Sequence, residues 1–296
     1  MPSTKEIRRR IKSVKSTRQI TKAMELVSAA KMRKAQNQAL ATRTYAKLAW
    51  ELIQNLTTKT DPRVHRLLRE TASPASVGIL LLTSNRGLIG GFNSHIVEKA
   101  VNYAKKFPKA EFVTLGKKGR DAVKKSGFNI VADFEKRDVI SSVLDINAVA
   151  KLLIDEFLAG RYDKVTLVYM DFVSTLVQKP HVLELLPLKQ PDPTLGALNM
   201  QDETSAPLYE HPDYIFEPGP DFILENVLPR LTIMQIYQAL LETNAAEHSA
   251  RMVAMKSASD AAGDIIDDLT LEYNQIRQAG ITKEISEIVA GKLALS

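Results

Sequence analysis

The C-terminal stretch constrains this chain more than any other. Residues 222–295 read as one helix, with no Pro after Pro229. From Leu241 the positions Leu241, Ala245, His248, Met252, Met255, Ser259, Ala262, Ile266, Leu269, Tyr273 and Ile276 are spaced alternately by four and three. That spacing keeps one seam on one helix face. At about 1.5 Å rise per residue, such a helix is roughly 100 Å long, several times the span of a small domain. Most of it must therefore pack against something other than a compact core of its own chain. Pro229 either marks the true start of this helix or kinks its first turns.

A second long helix is predicted at the other end. Ser3 or Thr4 serves as N-cap, Glu6 suits the positive end of the helix dipole, and no Gly or Pro follows until Pro62. The helix is expected to run to about Leu56, with the apolar positions Ile7, Ile11, Val14, Ile20, Met24, Val27 and Met32 on its packing side. Its alanines, and the small residues Ala245, Ala246, Ser249, Ala250, Ala254, Ser257, Ala258 and Ala261 of the last helix, favour close approach of two helices. Charge is divided the same way. Residues 1–60 carry fourteen Lys or Arg against three Glu, whereas 221–296 carry six Lys or Arg against eleven Asp or Glu. Opposite signs on two long helices suggest mutual pairing. A basic helix also suits nucleic acid, so a coiled-coil nucleic-acid-binding protein is the alternative reading.

Between the helices the pattern changes. A short apolar run at 77–83, bounded by turn residues, reads as a buried parallel strand and leads through the glycine-bearing loop 84–93 into a helix at 94–107. Strands at 111–115 and 128–132 alternate with helices at 120–125 and 146–158, and strands at 164–173 and 178–188 form a hairpin through Ser174 and Thr175. Alternation of strand and helix implies an open parallel α/β sheet. The loop holding Gly87, Gly90 and Gly91 sits where a phosphate would meet backbone N–H groups, yet it has neither a G-x-G-x-x-G pattern nor a phosphate-loop Lys, so a structural turn is expected. Residues 191–220 are Pro-rich and read as a connecting loop. The resulting division is a first helix at 1–60, an α/β domain at 75–190, the connection, and the last helix at 221–296.

Several chemistries are excluded or disfavoured by composition. With no Cys, the chain has no disulfide, thiol catalyst, thiol switch or Cys-based metal site. His65, His95, His181, His211 and His248 are scattered without metal-ligand spacing, and no reaction constellation of side chains is visible. Asp260, Asp264, Asp267 and Asp268 read as a solvated acidic face. No apolar run reaches membrane-spanning length.

Four motifs carry a resemblance: IRRRIKSV at 7–14 with QITKAMELV at 19–27, NRGLIGGFN at 85–93, SARMVAMKSA at 249–258, and YNQIRQAGITKEI at 273–285. In order and over the whole chain they resemble the gamma subunit of the rotary (F-type) ATP synthase. Asn85 stands where that family usually has Asp, Ile89 where a small residue or Cys is common, and Ala290-Gly291 where Ser/Gly-Gly is usual.

The resemblance implies an α/β chain whose N- and C-terminal helices form a long antiparallel coiled coil, beside a central open, Rossmann-like domain that binds no nucleotide. It further implies a non-catalytic, cofactor-free central-stalk rotor that couples a membrane c ring to the catalytic sites of an alpha/beta hexamer. Its expected partners are the alpha and beta subunits, epsilon and the c ring, with no nucleic acid. The expected location is peripheral, on the cytoplasmic face of a bacterial plasma membrane. By position, Met24, Arg251, Gln278, Thr282 and Glu284 match residues that touch or couple to the catalytic ring, while Tyr214 and Glu217 match residues of the foot facing the c ring.

Overall fold

The computed structural model describes residues 3–59, 65–137, 142–188 and 219–294. The chain divides into two compact units, Ala29–Arg251 and the pairing of Met1–Ser28 with Met252–Ser296. Helices α1 (Thr4–Lys59) and α5 (Pro220–Ala294) contribute to both. Pro229 lies inside α5, so it does not start the helix. The Pro-rich connection falls almost wholly outside the described residues.

In the larger unit, β1 (Ser76–Leu82) is buried along nearly its whole length, as a strand covered on both faces must be. It pairs in parallel with β2 (Lys109–Leu115) on one side and β4 (Lys164–Phe172) on the other. β3 (Asn129–Phe134) extends the sheet beyond β2 in parallel, and β5 (Gln178–Leu186) closes the other edge. The order β3-β2-β1-β4-β5 combines a parallel sheet with the hairpin expected at its end. β5 is antiparallel, because the connection from β4 is a tight hairpin in which Ser174 and Val177 exchange backbone hydrogen bonds of 2.9 and 3.2 Å. Helices α2 (Phe92–Ala104), α3 (Lys117–Lys125) and α4 (Asn147–Leu158) pack on the sheet. Each predicted helix and strand of this region exists, with ends shifted by a few residues. Gly116 has φ 120°, and a side chain there would lie 2.4 Å from the Thr83 carbonyl oxygen, so the turn between β2 and α3 requires glycine.

The first half of α5 completes this core. Leu224, Leu228, Leu231, Ile236, Tyr237, Leu240 and Leu241 join the apolar cluster of α4, β4 and β5. Every residue of 236–249 is buried, so this segment is covered all round rather than along one seam. Across from it lies α1. Thr42 Oγ1 donates to Gln238 Oε1 at 2.6 Å, Gln238 Nε2 donates to the Ala39 carbonyl at 3.4 Å, and Lys31 is an electrostatic neighbour of His248. Rising numbers on one helix meet falling numbers on the other, so the pair is antiparallel.

In the smaller unit the seam of α5 follows the expected spacing. Met255, Ser259, Ala262 and Ile266 are buried, and Met252, Leu269, Tyr273 and Ile276 are half-buried. The seam of α1 differs from the sequence reading. Ile7 is buried and Ile11 and Val14 are half-buried, but Ile20 and Val27 are 58% and 55% exposed, and Thr21 and Ser28 take their places inside. Continuing the four-three alternation from Ile7, Ile11 and Val14 leads to Thr21 and Ser28, one residue beyond the two apolar side chains. A shift of one residue turns a side chain by about 100° around the helix. The polar seam residues are satisfied locally, Thr21 Oγ1 donating to the Arg18 carbonyl at 3.0 Å and Ser28 Oγ to that of Met24 at 2.7 Å.

Candidate functional site

Open α/β sheets bind ligands in the crevice beyond the carboxyl ends of their strands. Here α5 reaches that edge at the ends of β3 and β4. Met170 N of β4 donates to Thr243 Oγ1 at 3.3 Å, Ser249 Oγ donates to the Thr175 carbonyl of the β4–β5 hairpin at 2.7 Å, and Lys136, two residues past β3, pairs with Glu247. The glycine-bearing loop spends its polar groups on the same framework. Ser84 Oγ donates to the Arg86 carbonyl at 2.6 Å, and Asn93 Nδ2 donates to Ser84 Oγ at 2.8 Å. Asn85 Nδ2 donates to the Lys136 carbonyl, while its Oδ1 accepts from Lys117 N at 3.3 Å. Leu88 and Gly90 both take left-handed backbone, φ 63° and 58°. The arrangement is that of a built turn.

Lys136 and Glu247 are only 5% and 6% exposed. Burial alone would push the Glu247 carboxyl up, but the Lys136 ammonium and the Arg251 guanidinium outweigh it and hold Glu247 below the usual carboxylate range. Arg251 Nη2 donates to Glu247 Oε1 at 2.9 Å, leaving Oε2 for Lys136. Next in sequence, His248 is pushed down to about 4 by burial, with Lys136, Arg251 and Lys31 adding to the shift and Glu247 opposing it. The imidazole is therefore neutral at neutral pH, and its Nδ1 has no hydrogen-bond partner among the described residues. Lys136 and Glu247 were not singled out from sequence. Glu247 had a local signal, an acid four residues before Arg251 and next to a seam residue, whereas nothing near Lys136 distinguishes it from the surface lysines around it.

The sequence-predicted contact residues fall in different places. Arg251 belongs to the larger unit and is tied to an acid on its own helix. Met24 is half-buried on α1 in the smaller unit. Gln278, Thr282 and Glu284 stand exposed on successive turns of α5. Tyr214 and Glu217 lie outside the described residues.

The exposure of the α5 end has a geometric cause. A side chain at Gly263 would meet the Arg18 guanidinium carbon at 3.4 Å, which sets the register of the smaller unit. Since α1 begins at Thr4, fourteen residues before Arg18, its coverage of α5 ends near residue 277, fourteen after Gly263. All of 277–290 is exposed, including the apolar residues Ile281, Ile285, Ile288 and Val289, whose spacing puts them on one helix face. Ile20, Leu26 and Val27 form a further exposed apolar group on α1. Among the described residues no helix is long and apolar enough to cross a membrane.

A family profile described as ATP synthase matches residues 3–295. The ATP synthase gamma chain of Roseiflexus castenholzii is 42% identical over the whole of this chain and 99% of its own length. That of Pelotomaculum thermopropionicum is 43% identical over the full length of both. A chain from the cryo-EM structure of the Euglena gracilis mitochondrial ATP synthase, described as OSCP/F1/c-ring, shares the fold with a TM-score of 0.65. It is 18% identical, and the match covers 99% of this chain and 94% of that one. Length, motifs and fold agree over nearly every residue: the chain belongs to the ATP synthase gamma chain family.

Proposed function

We propose that this chain is the central-stalk rotor of a proton-translocating ATP synthase. The observation that carries the reading is the unpartnered end of α5. Residues 277–290 extend beyond the reach of α1 with an apolar face exposed, an arrangement that suits a helix sheathed by other subunits. The alpha and beta subunits form that sheath, touching Met24, Gln278, Thr282 and Glu284. The α/β domain is the foot, beside epsilon and the c ring, with Tyr214 and Glu217 on the ring side. The assembly places the chain peripherally at the cytoplasmic face of a bacterial plasma membrane.

In this scheme the chain performs no bond chemistry and holds no nucleotide, a reading supported by the contacts of α5 at the carboxyl ends of β3 and β4. Its work is conformational. An asymmetric shaft contacts otherwise equivalent catalytic sites differently, so each rotational position favours a different conformation at each site by its differential contact energy. The apolar residues Ile281, Ile285, Ile288 and Val289 give contacts without direction, which resist turning little, while polar residues on the same segment supply angle-dependent ones. Family relatives offer no support to the nucleic-acid reading of the basic α1. Reconstitution tests the proposal: the chain is expected to co-purify with alpha and beta subunits and to be required for their ATPase activity. Full ATPase activity without it, or failure to assemble, contradicts the reading.

A further inference from the structure

The geometry points to Lys136, Glu247 and Arg251 as a torsional clamp, a set of positioning residues that fixes the angle of α5 against the sheet so that turning the foot turns the helix. The inference rests on the rotor reading above and adds to it the residues that bear the torque within this chain.

The contact of α5 with the sheet domain is apolar from Leu224 to Leu241, and such packing lacks the directionality of a hydrogen bond or ion pair. Directional contacts are needed to stop slip. Three of those described at the carboxyl edge of the sheet come from the ends of β3 and β4: Lys136 to Glu247, Met170 N to Thr243 Oγ1, and Ser249 Oγ to the Thr175 carbonyl of the hairpin that follows β4. Thr243 and Glu247 are four apart and share a helix face. Ser249, two residues beyond Glu247, points about 160° away from it around the axis. The helix is thus gripped from two sides, which opposes rotation in either sense. Only the Lys136–Glu247 contact joins two full charges, and both are nearly water-free, where such a pair is strongest and least compliant. The backbone of Lys136 is in turn held by Asn85, so the pull on its ammonium passes into the loop after β1. Arg251 keeps the second carboxylate oxygen of Glu247 in place.

The absence of cysteine permits a direct test. A single Lys109→Cys substitution on the exposed start of β2 gives one labelling site on the foot. With the alpha/beta hexamer immobilised and hydrolysis arrested, the angular variance of a probe at that site reads the stiffness of the joint. Lys136→Met removes the charge and leaves Glu247 paired with Arg251, and is expected to raise the variance about twofold because the charged one of three anchors is lost. Lys136→Arg is expected to keep the parent variance, while Lys136→Met, which leaves the buried Glu247 with one cationic partner, also lowers the melting temperature. Unchanged variance in Lys136→Met, or a Lys136→Arg variant as loose as Lys136→Met, overturns the clamp. Glu247→Gln provides a second loosening variant. If both charge-removing variants fail to assemble while the parent assembles, the cluster is a folding element and the clamp is equally overturned. Failure of the parent itself to assemble would instead refute the rotor reading.

Discussion

At the scale of single residues, His248 shows how completely α5 is enclosed. Its ionisation is suppressed to about 4, so the unfolded chain binds a proton at this position from pH 6.5 downward while the folded chain resists until near 4. Stability contributed by the neutral imidazole is therefore present above 6.5 and lost as pH falls through that window, by up to about 3 kcal/mol. Denaturant unfolding of the full chain between pH 7 and pH 4.5 is expected to show this loss, and His248→Gln is expected to flatten it. Parallel curves for the two chains would contradict the account. Glu247 acts in a different range: its depressed carboxyl stabilises the fold above its ordinary value and ceases to do so only as pH falls below it. The groups facing His248 are Glu247, Lys136, Arg251 and Lys31, so the Gln variant keeps every other charge in place.

At the scale of elements, the two long helices divide into a paired region and a bare end. If the bare end supplies guidance through non-directional contacts, deleting residues 287–296 should leave ATP-driven rotation and torque largely intact, as a torque measurement on the assembled complex would show. Loss of torque altogether would place the drive at the tip instead. Much of this organisation was legible beforehand, because a seam with alternating spacing of four and three is a local property of the sequence. The seam positions named between Leu241 and Ile276 all proved buried or half-buried. The seam of α1 was less legible at Ile20 and Val27. Apolar type there misled, since exposed apolar residues on a helix and seam residues differ only by one step of register. The strands of the α/β domain were readable from short apolar runs, and the antiparallel β5 from the short turn at Ser174 and Thr175 that joins it to β4. Least legible was the clamp. Glu247 and Lys136 lie 111 positions apart, and their pairing is a product of the fold.

At the scale of the whole molecule, the sequence pattern, the contacts of α5 at the sheet edge and the exposed end of α5 all suit the proposed rotor, a chain that transmits force. The sheet has the order of a doubly wound fold, and α5 lies against the carboxyl ends of β3 and β4, so fold alone does not carry a nucleotide-binding function. The most direct measurement is single-molecule rotation. With the alpha/beta hexamer fixed to a surface and a probe on Lys109→Cys, ATP is expected to drive the probe continuously in one direction, at a rate tied to hydrolysis. A hexamer that hydrolyses ATP at full speed while the bound probe stands still would contradict the account.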